Sequence, residues 1–291
     1  ADNFAGGSIR LDGAASAQAL SAHLGDMLDM DAVTAAFGLA EVVDENMANA
    51  ARVHAVENGE DLAGYTMIAF GGAAPLHAGR LCEKLGIDRL LVPPGAGVGS
   101  AIGFLRAPFS FEANRSVYMR LSDFDADRIK GLLADLQAEA TAFVRTCDAD
   151  AEILSEFKVY MRYTGQGWEI PIVLTPDQAI NPDADTYLDL FETDYTKLFG
   201  RPVAGMDVEI TVWSVNATTR PEAVARIAGA TPGAAAPSSD TRQIFDPAKA
   251  AFTGATIVLR NAMQTGSTVS GPAAITEDAT TIIVPASRTA L

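Results

Sequence analysis

Residues 65–92 pass from one short apolar run through a helical stretch to a second apolar run, and this alternation constrains the fold most. Tyr65-Thr66-Met67-Ile68-Ala69-Phe70 is a short apolar run that ends abruptly at Gly71-Gly72, as a buried parallel strand does. Pro75 suits the first turn of the helix that follows, which carries Leu76, Leu81 and Leu85 and stops at Gly86. Arg89-Leu90-Leu91-Val92 is a second buried strand closed by Pro93-Pro94, and Gly95, Gly97 and Gly99 lead into an apolar segment from Ser100 to Leu105. Strand, helix and strand in this order predict an α/β fold with a parallel sheet.

Other elements follow from caps and periodicity. Asp12 is a plausible N-cap for a helix over residues 13–24. A longer helix runs from about Asp31 to Asn58, with the apolar stripe Val33, Phe37, Ala40, Val43, Met47, Ala50 and with Gly59 as its C′ residue. Past residue 110 the character changes to a polar-faced helix over Leu121 to Thr146, a hairpin from Phe157 to Tyr163 and Trp168 to Leu174 around Thr164-Gly165-Gln166-Gly167, and a helix over Asp185 to Phe199. The strand Val208 to Asn216 and the short strands Ala255 to Leu259 and Thr280 to Val284 complete the reading. One boundary therefore falls near 110, giving segments 1–110 and 111–291, and a weaker one lies in the loose Ala/Pro/Ser/Thr/Gly-rich loop 218–240.

With 48% apolar residues and 20% charged ones the chain can bury a core and is not globally disordered. Its net charge of −16 repels phosphate backbones and anionic lipid heads, which argues against nucleic acid and membrane surfaces as partners. No apolar run reaches the ~18–20 residues of a membrane span, and the first residues show no signal-peptide pattern. Cys82 and Cys147, 65 positions apart, form neither a disulfide framework nor a zinc ribbon, which fits a reducing cytoplasm. The chain starts without Met and directly in Phe4-Ala5-Gly6-Gly7, so it reads as a piece of something longer.

The strongest local candidate for chemistry is Gly71-Gly72-Ala73-Ala74. Glycines after a buried strand let a backbone approach a bound group without an intervening Cβ. The next helix aims its N-terminal amides at the same place, and the carboxyl ends of parallel strands are where open α/β sheets bind ligands. A tight turn that needs glycine only for its backbone explains the same residues. Neither a dinucleotide fingerprint nor a P-loop is present. Gly95-Ala96-Gly97-Val98-Gly99-Ser100 lacks an accompanying Lys and reads as close packing of helix on strand. Ser100 is not in a nucleophile elbow, so acyl-enzyme chemistry is not supported. Asn46 and Asn49 sit in mid-helix, where asparagine is a poor helix former and marks either a specific hydrogen bond or a solvated face shared with Glu45 and Arg52. His77, on the first turn behind the glycines, is either a packing residue or a ligand contact. His23, His54 and His77 are too scattered to build a metal site, and no catalytic residue can be assigned.

Taken together, Ala69-Phe70-Gly71-Gly72-Ala73-Ala74-Pro75-Leu76-His77-Ala78, Leu85-Gly86-Ile87, Leu91-Val92-Pro93 and Gly97-Val98-Gly99-Ser100-Ala101-Ile102-Gly103 resemble the A subunit of the hydantoinase/oxoprolinase family. Asp2-Asn3-Phe4 with Gly6-Gly7, Asn46 to Ala50, Val56 to Gly59, Met161 to Gln166, Gly271 to Ile275 and Thr280-Thr281 extend the resemblance over nearly the whole chain. It implies the later part of an actin/hexokinase-like ATPase domain followed by a C-terminal α+β domain. By the same resemblance, Gly71, Gly72, Ala73 and Ala74 would pack on the adenosine of ATP, with His77, Asn46 and Asn49 as further cofactor contacts. Where the family shows Gly-Gly-Ala-Gly this chain has Ala74 in the last place, and it lacks a His-bearing stretch at Phe191 to Gly200. The family's phosphate loop and metal-holding segment would lie before residue 1. The activity implied is ATP-dependent opening of a cyclic amide with Mg²⁺ and a small-molecule substrate. A B-type subunit would complete hydrolysis, and the N-terminal half of the same protein would complete the ATPase domain. A ketone carboxylase and a non-catalytic assembly subunit are the alternatives.

Overall fold

The structure, a computed structural model, describes residues 8–221, 223 and 229–291. The segment Asp2 to Gly7 and part of the 218–240 loop, both used in reading the sequence, lie outside the described residues. Two compact units emerge, one from Ala1–Arg106 together with Arg226–Leu291, the other from Ala107–Ala225. The sequence predicts one main boundary near 110 with 111–291 as a single segment; in the fold, the last segment of the chain packs with the first.

In the first unit α1 (Gly13–Leu20) is capped by Asp12, whose Oδ1 accepts from the Ala15 amide at 2.9 Å. A π-helical turn at Ser21–Gly25 leads into the one-turn helix α2 (Asp26–Leu28). Then α3 (Ala32–Glu57) starts at Asp31, which accepts from Thr34 N at 2.7 Å, and ends before Gly59 at φ +69°. Its buried positions are Ala35, Asp44, Ala48 and Ala55, not the expected stripe: Val33, Val43 and Met47 are exposed. Small side chains let a neighbouring helix approach closely, so packing selects the alanine face over the more hydrophobic one. Next come β1 (Thr66–Ile68), α4 (Ala74–Leu85, with Pro75 in its first turn and Gly86 at φ +68°) and β2 (Arg89–Leu91). β1 and β2 are parallel, with Met67 opposite Leu90, as the sequence predicts. They are not buried on both faces, however. Met67 turns toward Cys82 of α4, while Ile68 and Leu91 on the other side of the pleat are more than half exposed, because no layer of described residues covers that face. A 3₁₀ turn (Ala96–Val98) and α5 (Gly99–Arg106) follow, and α5 leaves Phe104 and Leu105 in solvent.

The second unit is an antiparallel sheet covered by helices. β3 (Ser110–Arg115) and β4 (Met119–Arg120) precede α6 (Ala126–Cys147), and the hairpin strands β5 (Ile153–Tyr163) and β6 (Ile170–Leu174) come next. After α7 (Pro176–Ile180) and α8 (Ala184–Phe199), β7 (Val208–Thr219) enters the middle of the sheet, in the order β3-β7-β5-β6 with β4 also on β7. Alternation along β5 and β6 puts Phe157, Val159, Tyr163, Ile172 and Leu174 into the core with Ile129, Leu133 and Leu136 of α6 and Tyr187 and Phe191 of α8. Fully buried Trp213 donates Nε1–H to the Val117 carbonyl at 2.8 Å, which satisfies the polar end of the largest core side chain.

The last segment returns to the first unit. β8 (Asp240–Asp246) and β9 (Ala251–Leu259) form a hairpin, β10 (Val269–Ser270) is followed by the hairpin β11 (Ala273–Thr276) and β12 (Thr281–Val284), and β13 (Thr289–Ala290) pairs with β10. The sheet order is β12-β11-β9-β8, with β11 parallel to β9. α4 lies against β12 so closely that a Cβ at Gly79 would come 2.9 Å from the Ile283 carbonyl oxygen.

Candidate functional site

The glycine turn is shaped from three directions. β1 holds its start through Ala69 N–H to Leu91 O at 2.9 Å, and the Gly71 amide donates to Ala96 O at 2.6 Å. Gly71 adopts φ +111°, a conformation costly for any residue with a Cβ, and a Cβ there would meet nothing within 4 Å. Glycine at 71 is thus required by the backbone, and the space above it stays open. Gly72 is exposed, and its carbonyl accepts from Thr280 Oγ1 at 2.8 Å. Ala73 is the N-cap residue of α4 without a side-chain cap, and Ala74 begins the helix. The N-terminal end of α4 therefore faces the turn with its positive dipole end free of a capping side chain.

His77 points elsewhere. Its Nδ1 lies 2.7 Å from Oδ1 of the buried Asp44 on α3. It lines a groove of about 570 Å³ together with Ala17, Phe37, Phe245 and Phe252, to which Gly71 to Ala74 do not contribute. Below it an ion network joins α3 to α4. Arg80 makes a two-pronged contact with Glu41 (2.9 and 3.0 Å), Lys84 bridges Glu41 and Glu45 (both 3.0 Å), and Arg52 reaches Glu45 (2.7 Å) and the Lys84 carbonyl (3.0 Å). The Arg80 guanidinium holds the Glu41 carboxyl below the usual carboxylate range, with Lys84 adding to it, and Glu41 in turn raises Arg80 and Lys84. Glu45 thus remains exposed and Arg52 partly exposed on α3, and both are also engaged in ion pairs. Asn46 and Asn49 are exposed on α3, and among the described residues neither makes a side-chain hydrogen bond. Burial raises the Cys82 thiol, as expected of a core cysteine.

Three contacts with the turn and its neighbouring loop were not readable from local sequence. Thr280, 5% exposed, holds the Gly72 carbonyl. The Ala279 carbonyl would lie 2.6 Å from a Cβ at Gly97, so that glycine is demanded by packing against the β11–β12 tip and not by the strand that the sequence suggested. Arg260 donates to Val92 O at 2.7 Å and Pro93 O at 3.1 Å and pairs with Glu277. These partners sit about 170–210 positions away in sequence, and the only hint was the place of Thr280-Thr281 in the overall resemblance.

The open space lies at Gly71, whereas at Gly72 the Ala279 carbonyl lies 3.5 Å from where a Cβ would be. Among the described residues no cluster of three or more His, Cys, Asp or Glu side chains could hold a metal ion, so a divalent cation here would need ligands from a bound phosphate or from outside the described residues.

A parallel strand pair joined through a glycine turn and a helix, together with an antiparallel sheet covered by helices, defines a mixed α/β class. Comparison with known proteins narrows it. The hydantoinase/oxoprolinase family model matches residues 1–113 and the model of the family's C-terminal domain matches 124–291. The chain belongs to the hydantoinase/oxoprolinase family. It is 27% identical to the acetone carboxylase beta subunit of Xanthobacter autotrophicus and 25% to the caprolactamase subunit alpha of Pseudomonas jessenii, covering 98% and 96% of this chain but 41% of each relative. The nucleotide-free structure of acetone carboxylase shares its fold with a TM-score of 0.72 at 26% identity, over 99% of this chain and 42% of that one. The ATP-dependent caprolactamase of P. jessenii shares it with a TM-score of 0.72 at 24% identity, over 97% and 42%. The chain thus spans about two-fifths of the length of the relatives it matches.

Proposed function

We propose that the protein is an ATP-using subunit of a ring-opening amidohydrolase acting on a hydantoin, oxoproline or related lactam. An amide carbonyl is a poor electrophile, and transfer of a phosphoryl group to its oxygen supplies the leaving group that water attack needs. In this reading the adenosine lies on Gly71, Gly72, Ala73 and Ala74, and the N-terminal end of α4 faces the nucleotide. The observation that carries it is Gly71, at φ +111° with open space above it, in a chain similar to ATP-dependent enzymes. Asn46 and Asn49 are exposed and, among the described residues, make no side-chain hydrogen bond, which leaves them free to serve as weaker contacts. His77, held by Asp44, would reach the cofactor only with Nε2. Mg²⁺ would arrive with the triphosphate, and the phosphate loop would come from a preceding part of the same protein. A B-type subunit would complete hydrolysis. The free cysteines suit a cytoplasmic setting, and no helix among the described residues is long and apolar enough to cross a membrane.

The likeness to the acetone carboxylase beta subunit supports a second reading, in which ATP activates bicarbonate and an enolisable ketone. Incubating the intact protein and its partner with ATP and either a lactam or a ketone plus bicarbonate separates the two by product. Gly72→Val tests the nucleotide role common to both. It should abolish ATP turnover and the thermal shift with ATP and Mg²⁺ while leaving the fold in place. Unchanged turnover removes the turn from the nucleotide site, and no shift in the unaltered protein favours a non-catalytic assembly subunit.

A further inference from the structure

We infer that the tip of the β11–β12 hairpin, residues 277–280, is a clamp that sets the position of both glycine loops, with Thr280 as the positioning residue for the nucleotide turn. The inference rests on the nucleotide reading above for its function, but its geometry is independent of it. Three separate contacts converge from the tip. Thr280 Oγ1 donates to the Gly72 carbonyl at 2.8 Å, and at 5% exposure its hydroxyl has little water to turn to instead. The Ala279 carbonyl lies in ordinary contact distance of Gly72, 3.5 Å from where a Cβ would be, and fills the space over Gly97, 2.6 Å from a Cβ there. Glu277 anchors Arg260, which spans the Val92 and Pro93 carbonyls at the entrance to the second loop. The tip itself is closed by Glu277 N–H to Thr280 O at 2.9 Å, so its residues move together.

The two loops are also joined to each other, by the Gly71 amide on Ala96 O. A segment near the end of the chain therefore fixes the spacing of two loops that lie close in sequence but have few side chains of their own. Glycine-rich backbone has wide conformational freedom, and external contacts must supply the rigidity that a preorganised ligand surface needs. Gly72 itself is an exposed residue, so releasing its carbonyl from Thr280 lets the turn rotate without opening the core.

The test uses the intact protein and two readouts. Amide hydrogen exchange on Thr280→Val should show faster exchange confined to residues 70–76 and 95–98, and Thr280→Ser should restore protection. Titration with a slowly hydrolysed ATP analogue and Mg²⁺ should show binding weakened about fivefold or more in Thr280→Val, the worth of one hydrogen bond. Thr280→Ser should again recover it, with kcat changed less than KM. If Thr280→Val does not fold, Arg260→Lys, which keeps the charge but loses the two-nitrogen fork that reaches both carbonyls, should loosen 95–98 in the same exchange experiment. Unchanged exchange in these loops overturns the clamp. Faster exchange with unchanged analogue affinity overturns its role in nucleotide binding. Faster exchange in a protein that binds no nucleotide even when unaltered upholds the clamp and removes the nucleotide reading instead.

Discussion

His77 and Asp44 stand 33 positions apart in sequence, yet Nδ1 of one lies 2.7 Å from Oδ1 of the other and ties the first turn of α4 to the middle of α3. The carboxylate is almost fully buried, and His77 is its one hydrogen-bonding partner among the described residues. A ring that the resemblance assigned to a cofactor is thus committed through one nitrogen to joining two helices.

Removing His77 should leave Asp44 buried without its partner. His77→Ala is expected to cost about 1–3 kcal/mol, whereas His77→Gln, which keeps a side-chain donor, should cost less. Urea unfolding of the three proteins checks this. Equal stability would show that Asp44 finds water or another donor.

Gly97 and Gly64 make a matched pair. A Cβ at Gly97 would meet the Ala279 carbonyl at 2.6 Å, while one at Gly64 would meet nothing within 4 Å. Gly97→Ala should destabilise by about 1–3 kcal/mol, as overpacking does, and Gly64→Ala should be near neutral. Thermal melts of both variants read the difference directly.

The Glu41 carboxyl is held low by the Arg80 guanidinium first and Lys84 second. A group whose folded pKa is depressed contributes stability above its unfolded pKa, ~4.3 for Glu, and that contribution is lost as pH falls through the folded value. Wild-type protein should exceed Glu41→Gln in stability by about 1 kcal/mol at pH 6–7, modest because the pair is partly solvated. The gap should close as the pH is lowered below about 4. Denaturant unfolding of both proteins across that range is the measurement, and a gap that does not change with pH would sink the assignment.

Trp213→Phe removes the donor to the Val117 carbonyl and part of the largest core side chain. About 2–3 kcal/mol should be lost from the second unit. Guanidinium unfolding followed by near-ultraviolet circular dichroism reports it.

Much of the architecture was legible because it is locally encoded. Asp12 and Asp31 each accept from a first-turn amide, Gly59, Gly86 and Gly200 take the left-handed conformation at helix ends, and the β5–β6 hairpin turns around Gly165. The failures share a cause. Hydrophobicity alone points to the Val33–Met47 stripe of α3, but Ala48 and Ala55 are among the buried residues because α4 comes close, and nothing near α3 in sequence announces that neighbour. Likewise Ile68 and Leu91 look like core residues, and burial depends on a covering layer that the local pattern does not contain. At the candidate site, Gly71 was legible from its type and place. Thr280 and Arg260 were not, since a Thr or Arg reveals no partner some 170–210 residues away.

Because Arg226–Leu291 finishes the unit begun by Ala1–Arg106, the middle of this polypeptide is an insert between two parts of one compact unit. Cutting the gene at the border between the two family matches would strand Gly97 beside a void and leave the carbonyls of Gly72, Val92 and Pro93 without the Thr280 and Arg260 groups that engage them. Excision of 107–225 with a short linker is the division that respects the contacts, and the amino-terminal match taken alone is the one that ignores them.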